Sequence, residues 1–181
     1  MGRQLIYVIF ALCAAMTLTL LLILVAEPVA GAGGVAHLVF EGMRIGGDGS
    51  ARLESIGSLA YGFQALLLVL IVALATLGIS ERHRTTRLRA YMLATLIFSL
   101  FVFWRMVANH LQFLATGETE YFMGFPTATA WAVYGVWLGS APLIMLYVAG
   151  FRQFIYTEED EAAFNQLLAE TTAANQTEDK N

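Results

Sequence analysis

The chain has 181 residues, of which 58% are hydrophobic and only 13% charged, with a formal net charge of −4. A soluble domain carries about 25% charged residues, so this composition excludes an ordinary soluble globule and identifies an integral membrane protein. The acidic balance argues against a nucleic-acid partner. The single cysteine, Cys13, excludes an intramolecular disulfide and reads as a small hydrophobe.

The first apolar run extends from about Leu5 to Ala26 without a charge. It exceeds the ~7–15 residues of a signal-peptide core, which favours a retained span over a cleaved leader. The opening "MGRQLI" lacks the hydroxyl residue that a myristoylation signal places sixth. A long glycine-rich stretch follows, about residues 28–58. Within it "VAHLVFEGM" spaces Val35, Leu38, Val39 and Met43 near a helical period. Two readings stay open there, a short helix on the membrane surface and a partly ordered loop. "GGDG" is no phosphate loop, because it neither follows a strand nor opens a Walker-type helix.

Three more apolar runs follow, at about residues 59–79, 90–114 and 128–150. Each of the four reaches the ~20 residues that cross a ~30 Å hydrocarbon core as a helix. Helices are expected because lipid cannot pair exposed backbone groups. The connection "ERHRTTRLR" (residues 81–89) holds Arg82, Arg84, Arg87 and Arg89, while Arg3 precedes the first run and Arg152 follows the fourth. With four spans these six arginines share one side. The opposite connections carry only Arg44 and Arg52, with Glu27, Glu41, Asp48, Glu54, Glu118 and Glu120. The positive-inside rule then puts both termini in the cytoplasm.

The short connection "TGETEYFMGFPT" (residues 116–127) turns at Gly124 and Pro126, and its Tyr121 and Phe122 suit headgroup depth. Span four carries Ala128, Ala132, Gly135 and Gly139 on one stripe, a surface where another helix can approach closely. That helix belongs either to this chain or to a second subunit. Trp131 fits the outer aromatic belt, and Trp137 lies deeper. Pro142 removes one backbone hydrogen bond. After Arg152 the chain turns acidic. Thr157 can cap a short helix with Glu158 and Glu159 in its first turn and Phe164, Leu167 and Leu168 on one face. From about Thr171 the composition predicts disorder. The expected organisation is an all-α membrane domain, residues 1–156, with spans at about 5–26, 59–79, 90–114 and 128–150, and an acidic cytoplasmic tail, residues 157–181.

One polar face stands out in "FVFWRMVANHLQFL" (residues 101–114). Arg105, Asn109 and Gln112 recur at i, i+4 and i+7, which puts them on one side of span three. An arginine at the bilayer centre costs about 3 kcal/mol or more, so this one needs a partner. Three readings compete: snorkelling plus an ion pair with Glu27, contact with a partner subunit or lipid headgroup, and binding of an anionic substrate. Of the three histidines, only His110 is placed for a haem ligand. The chain has no CxxC, HExxH, paired intramembrane carboxylates or nucleophile elbow. No catalytic residues, metal or cofactor are expected.

Residues 87–154, from "RLRAYMLATL" through "GFPTATAWAVYGVWLGSAPLIM" to "AGFRQF", run as basic turn, span, short outer loop with "GFP", and last span ending in a basic residue. This course resembles the small membrane subunit of tripartite ATP-independent periplasmic (TRAP) transporters. The segment from residue 124 to 154 is also similar to small subunits that accompany sodium/solute symporters. The first half departs from the TRAP pattern, with a long glycine-rich loop instead of a tight connection. The resemblance implies a non-catalytic accessory subunit in a bacterial inner membrane, working with a larger integral membrane carrier and a periplasmic protein. The alternatives are a membrane anchor of a redox complex that contacts quinone or haem, and a free-standing sensing or envelope protein.

Overall fold

The computed structural model describes residues 2–27 and 29–178. Four helices are long and apolar enough to cross a membrane: α1 (Gly2–Val25), α2 (Gly49–Leu77), α3 (Thr86–Thr116) and α4 (Thr127–Ala149). A fifth helix, α5 (Glu158–Glu178), follows. The chain is a multi-pass helical membrane protein.

The helices pack in chain order, α1 on α2, α2 on α3 and α3 on α4. Inter-helix hydrogen bonds fix the last three. Tyr91 of α3 donates its hydroxyl to the Pro142 carbonyl at 2.6 Å, and Ser99 donates to the Gly139 carbonyl at 3.1 Å. Tyr147 of α4 reaches back to the Ala75 carbonyl of α2 at 3.2 Å. Where lipid offers no competing water, such bonds add to van der Waals packing. The apolar core sits toward one end, where Val72, Ile79, Leu88, Met92 and Leu146 meet.

The α2–α3 connection is held by its own cations. Arg84 donates to the Ile79 and Leu77 carbonyls at 2.8 and 3.1 Å, covering acceptors left open at the end of α2. Thr85 caps α3 by accepting from the Leu88 amide at 3.3 Å. At the same end, Arg82 pairs with Asp160 in the first turn of α5, and His83 Nε2 lies 3.7 Å from the same carboxylate.

Three expectations change. Residues 49–58, assigned by hydropathy to a loop, are the first turns of α2. Asp48 Oδ1 accepts from the amides of Ser50 and Ala51 at 3.0 and 3.1 Å and so starts the helix well before its apolar run. The stretch around "VAHLVFEGM" forms no surface helix. It is a small hairpin, with β1 (Val35–Ala36) pairing antiparallel with β2 (Arg44–Ile45). His37 Nδ1 accepts from the Val39 and Phe40 amides at 3.1 and 3.2 Å, a local turn that competes with helix. Finally, α5 continues past Thr171 to Glu178. Its alanine-, glutamate- and glutamine-rich sequence has high intrinsic helix propensity, and Thr171 and Thr172 bond back to the Leu167 and Leu168 carbonyls. The expected tail beyond Glu178 lies outside the described residues.

Candidate functional site

The α3–α4 connection is a hairpin whose geometry shapes the site. Tyr121–Phe122 (β3) pairs with Phe125–Pro126 (β4), leaving Met123 and Gly124 as a two-residue turn with φ of 49° and 85°. Both positive values belong to a type I′ turn, which Gly124 accommodates freely and Met123 less so. Thr127 then starts α4 and donates its hydroxyl to the Glu120 carbonyl at 2.8 Å, tying hairpin to helix.

Between this hairpin and the end of α3 lies a cleft of about 360 Å³. Arg105, Asn109, Gln112 and Thr116 line it along α3. Glu118, Thr119, Glu120 and Thr127 line it from the connection and the start of α4. The polar face legible in the sequence therefore faces the α3–α4 connection. It forms one wall of a polar recess, extended by Thr116, which continues the same helical spacing.

Arg105 is half-buried, and among the described residues no carboxylate lies within the 4.0 Å of an ion pair. Glu27, the candidate partner, is exposed beyond the end of α1. The guanidinium is instead flanked by two indoles, 5.8 Å from the ring centroids of both Trp104 and Trp131. An aromatic face attracts a cation by its quadrupole and compensates part of the lost hydration. Asn109 Nδ2 donates to the Arg105 carbonyl at 2.6 Å. Its side-chain oxygen stays available to the cleft.

Trp131 gains its place from an irregularity that no sequence pattern announced. Residues Trp131–Gly135 form a π-helical turn in which the Val136 amide bonds to the Trp131 carbonyl. Such single turns commonly mark functional positions in helices. Gly135 makes the arrangement sterically feasible. A Cβ there would lie 2.8 Å from Val102 Cγ1 and 2.9 Å from Trp131 Cε3. Phe101 supports the indole edge-on, with centroids 6.2 Å apart.

The two glycines of the small-residue stripe of α4 pack within this chain. Gly135 faces Val102, and Gly139 lies against Ser99 of α3. Ala128 and Ala132 border a second pocket of about 240 Å³ with His110, Met106 and Tyr61. The Tyr61 hydroxyl is buried without a hydrogen-bond partner. His110 meets neither of the other histidines. His37 is engaged in the first hairpin's turn, and His83 sits by Asp160 at the far end of α3. Among the described residues, no three His, Cys, Asp or Glu side chains converge on a metal position.

Comparison with protein-family models, curated proteins and solved structures gives no match.

Along α4 a groove of about 380 Å³ adjoins the polar cleft and shares Glu120 and Thr127 with it. Ala130, Trp131, Tyr134 and Leu138 make it apolar. Phe122 and Phe125 of the hairpin pack edge-on to Tyr134, at 6.2 and 6.1 Å, and Phe122 also lines the groove.

Proposed function

We propose that this protein is a non-catalytic accessory subunit of a bacterial inner-membrane secondary transporter, with both termini in the cytoplasm. Its role is to scaffold a larger carrier subunit and to present its outer connections to a periplasmic partner. The observation that carries this reading is how little of the membrane domain is enclosed. None of the most apolar stretch of α1 is buried, and only 11% to 17% of the corresponding stretches of α2, α3 and α4. A carrier must wrap helices around its substrate near the midplane. Here the polar side chains gather at one end, in a cleft bounded by Arg105, while α1 packs on α2 at the edge of the layer. Such an open layer fits a subunit whose remaining faces are covered by lipid and by a larger neighbour. The sequence resemblance to transporter small subunits points the same way.

Purification of the tagged chain from its native membranes in mild detergent tests this. A larger multi-span protein is expected to co-purify at fixed stoichiometry. Recovery of the small chain alone, at native abundance and in gentle detergent, overturns the proposal. One observation favours a second reading, a redox-complex anchor: Tyr61, with its unpartnered hydroxyl, shares a pocket with His110. Stoichiometric quinone or haem in the purified protein would replace the first reading with this one.

A further inference from the structure

The polar cleft and the apolar groove are the two halves of one amphipathic site, and we infer that it holds a phospholipid with a zwitterionic headgroup. Three observations converge on that occupant. The first is the charge order. Arg105 offers an uncompensated cation at the base of the cleft, and Glu118 and Glu120 stand at its mouth with no cationic partner among the described residues. A phosphate on Arg105 and an ammonium against the two carboxylates match that sequence of charges. A purely anionic headgroup satisfies Arg105 but meets the glutamates.

The second is depth. The Arg105 guanidinium lies beside Trp131, four residues into α4, which is about 6 Å below Thr127 by the helical rise. With span four starting at Thr127, the cation is thus held about one helical turn inside the span's outer end, although its Cα is eleven residues from the end of α3. Trp131 marks the boundary, with its ring beside the guanidinium on one side and lining the groove on the other.

The third is the shape of the apolar half. From Thr127 to Leu138 the groove follows α4 for about 16 Å. That is roughly half of a ~30 Å hydrocarbon core, the depth of one leaflet. An acyl chain lying on Ala130, Trp131, Tyr134 and Leu138 would leave its headgroup at the shared rim, Glu120 and Thr127. A small soluble zwitterion would use the cleft and leave the groove unexplained.

Native mass spectrometry of the full-length protein in detergent, titrated separately with phosphatidylethanolamine and phosphatidylglycerol, tests the site. Phosphatidylethanolamine should be retained about tenfold more tightly than phosphatidylglycerol, the discrimination that one charge-assisted contact supplies. Arg105→Gln should lower retention of every phospholipid by a similar factor. Glu118→Gln with Glu120→Gln, both on an exposed connection, should abolish the preference over phosphatidylglycerol and leave Arg105 in place. Leu138→Trp fills the groove from its lipid-facing side, and should weaken lipid retention without touching the polar cleft. Equal or tighter retention of phosphatidylglycerol by the unaltered protein overturns the proposal, and needs no variant to fold. So does an unchanged lipid profile in folded Leu138→Trp. If soluble phosphoethanolamine competes as well as the whole lipid, the occupant is a free metabolite and the lipid assignment fails. None of these outcomes depends on a carrier partner.

Discussion

At the scale of single residues, the contrast between two glycines of α4 is diagnostic. A Cβ at Gly135 would collide with Val102 and Trp131, whereas at Gly139 the nearest atoms lie 3.9 Å away, an ordinary contact. Gly135→Ala is therefore expected to cost about 1–3 kcal/mol, the usual penalty of overpacking. Gly139→Ala should be close to neutral. Thermal unfolding in detergent checks the pair, and equal effects would mean that α3 and α4 do not meet as described. Arg105 gives a second test at this scale. Arg105→Lys keeps the charge but loses the planar group that lies between the indoles, a loss of about 0.5–1 kcal/mol. Arg105→Leu keeps neither, so it should impair assembly with a partner more than Arg105→Lys does, as read by co-purified yield. The polar face of Arg105, Asn109 and Gln112 was legible as a helical spacing. The indole of Trp131 beside it was not, because the two residues lie on different helices.

At the scale of elements, two carboxylates position helix ends. Hydrogen bonds from the backbone amides around Ala51 and from Ser50 hold Asp48 below the usual carboxylate range. Asp48→Ala should fray the first turn of α2, read as faster amide exchange at Ser50 and Ala51. Asp48→Asn, which can still accept, should fray it less. Asp160 is likewise held low, first by the Thr157 hydroxyl and amide and then by Arg82 and His83. Its folded value lies below its unfolded one. The contribution to capping α5, and the smaller one to its pairing with Arg82 and His83, is thus present above the ordinary value of 3.8 and is lost as pH falls through the lower folded value. A distance probe between residue 80 and α5 should report a broader distribution in that acidic window, and Asp160→Asn should broaden it at neutral pH. The sequence read the start of α5 correctly from Thr157 and the acids behind it. It stopped the helix early because it demanded an apolar face, where alanine, glutamate and glutamine propensity with local side-chain bonds extends the helix to Glu178.

At the scale of the molecule, the six arginines at one set of helix ends predict a definite orientation. In a background with Cys13 replaced by Ala, Ser80→Cys should be labelled by an impermeant thiol reagent only after the cytoplasmic face is opened. Leu38→Cys, at a position that is 95% exposed in the first hairpin, should be labelled from outside in intact cells. The reverse pattern would invert the membrane placement and move the Arg105 cleft to the cytoplasmic leaflet. The span count was determined by the sequence alone, since hydrophobic length and the need to pair every backbone group in lipid are local properties. The start of α2 was written there too, in Asp48, but a hydropathy reading sees apolar length and not capping. Only the tertiary structure decided which faces meet. It turned the glycine stripe of α4 toward α3, left Glu27 away from Arg105, and set a polar cleft against an apolar groove. Those outcomes depend on how side chains from separate helices fill shared space, and periodicity along one helix carries no record of its neighbour.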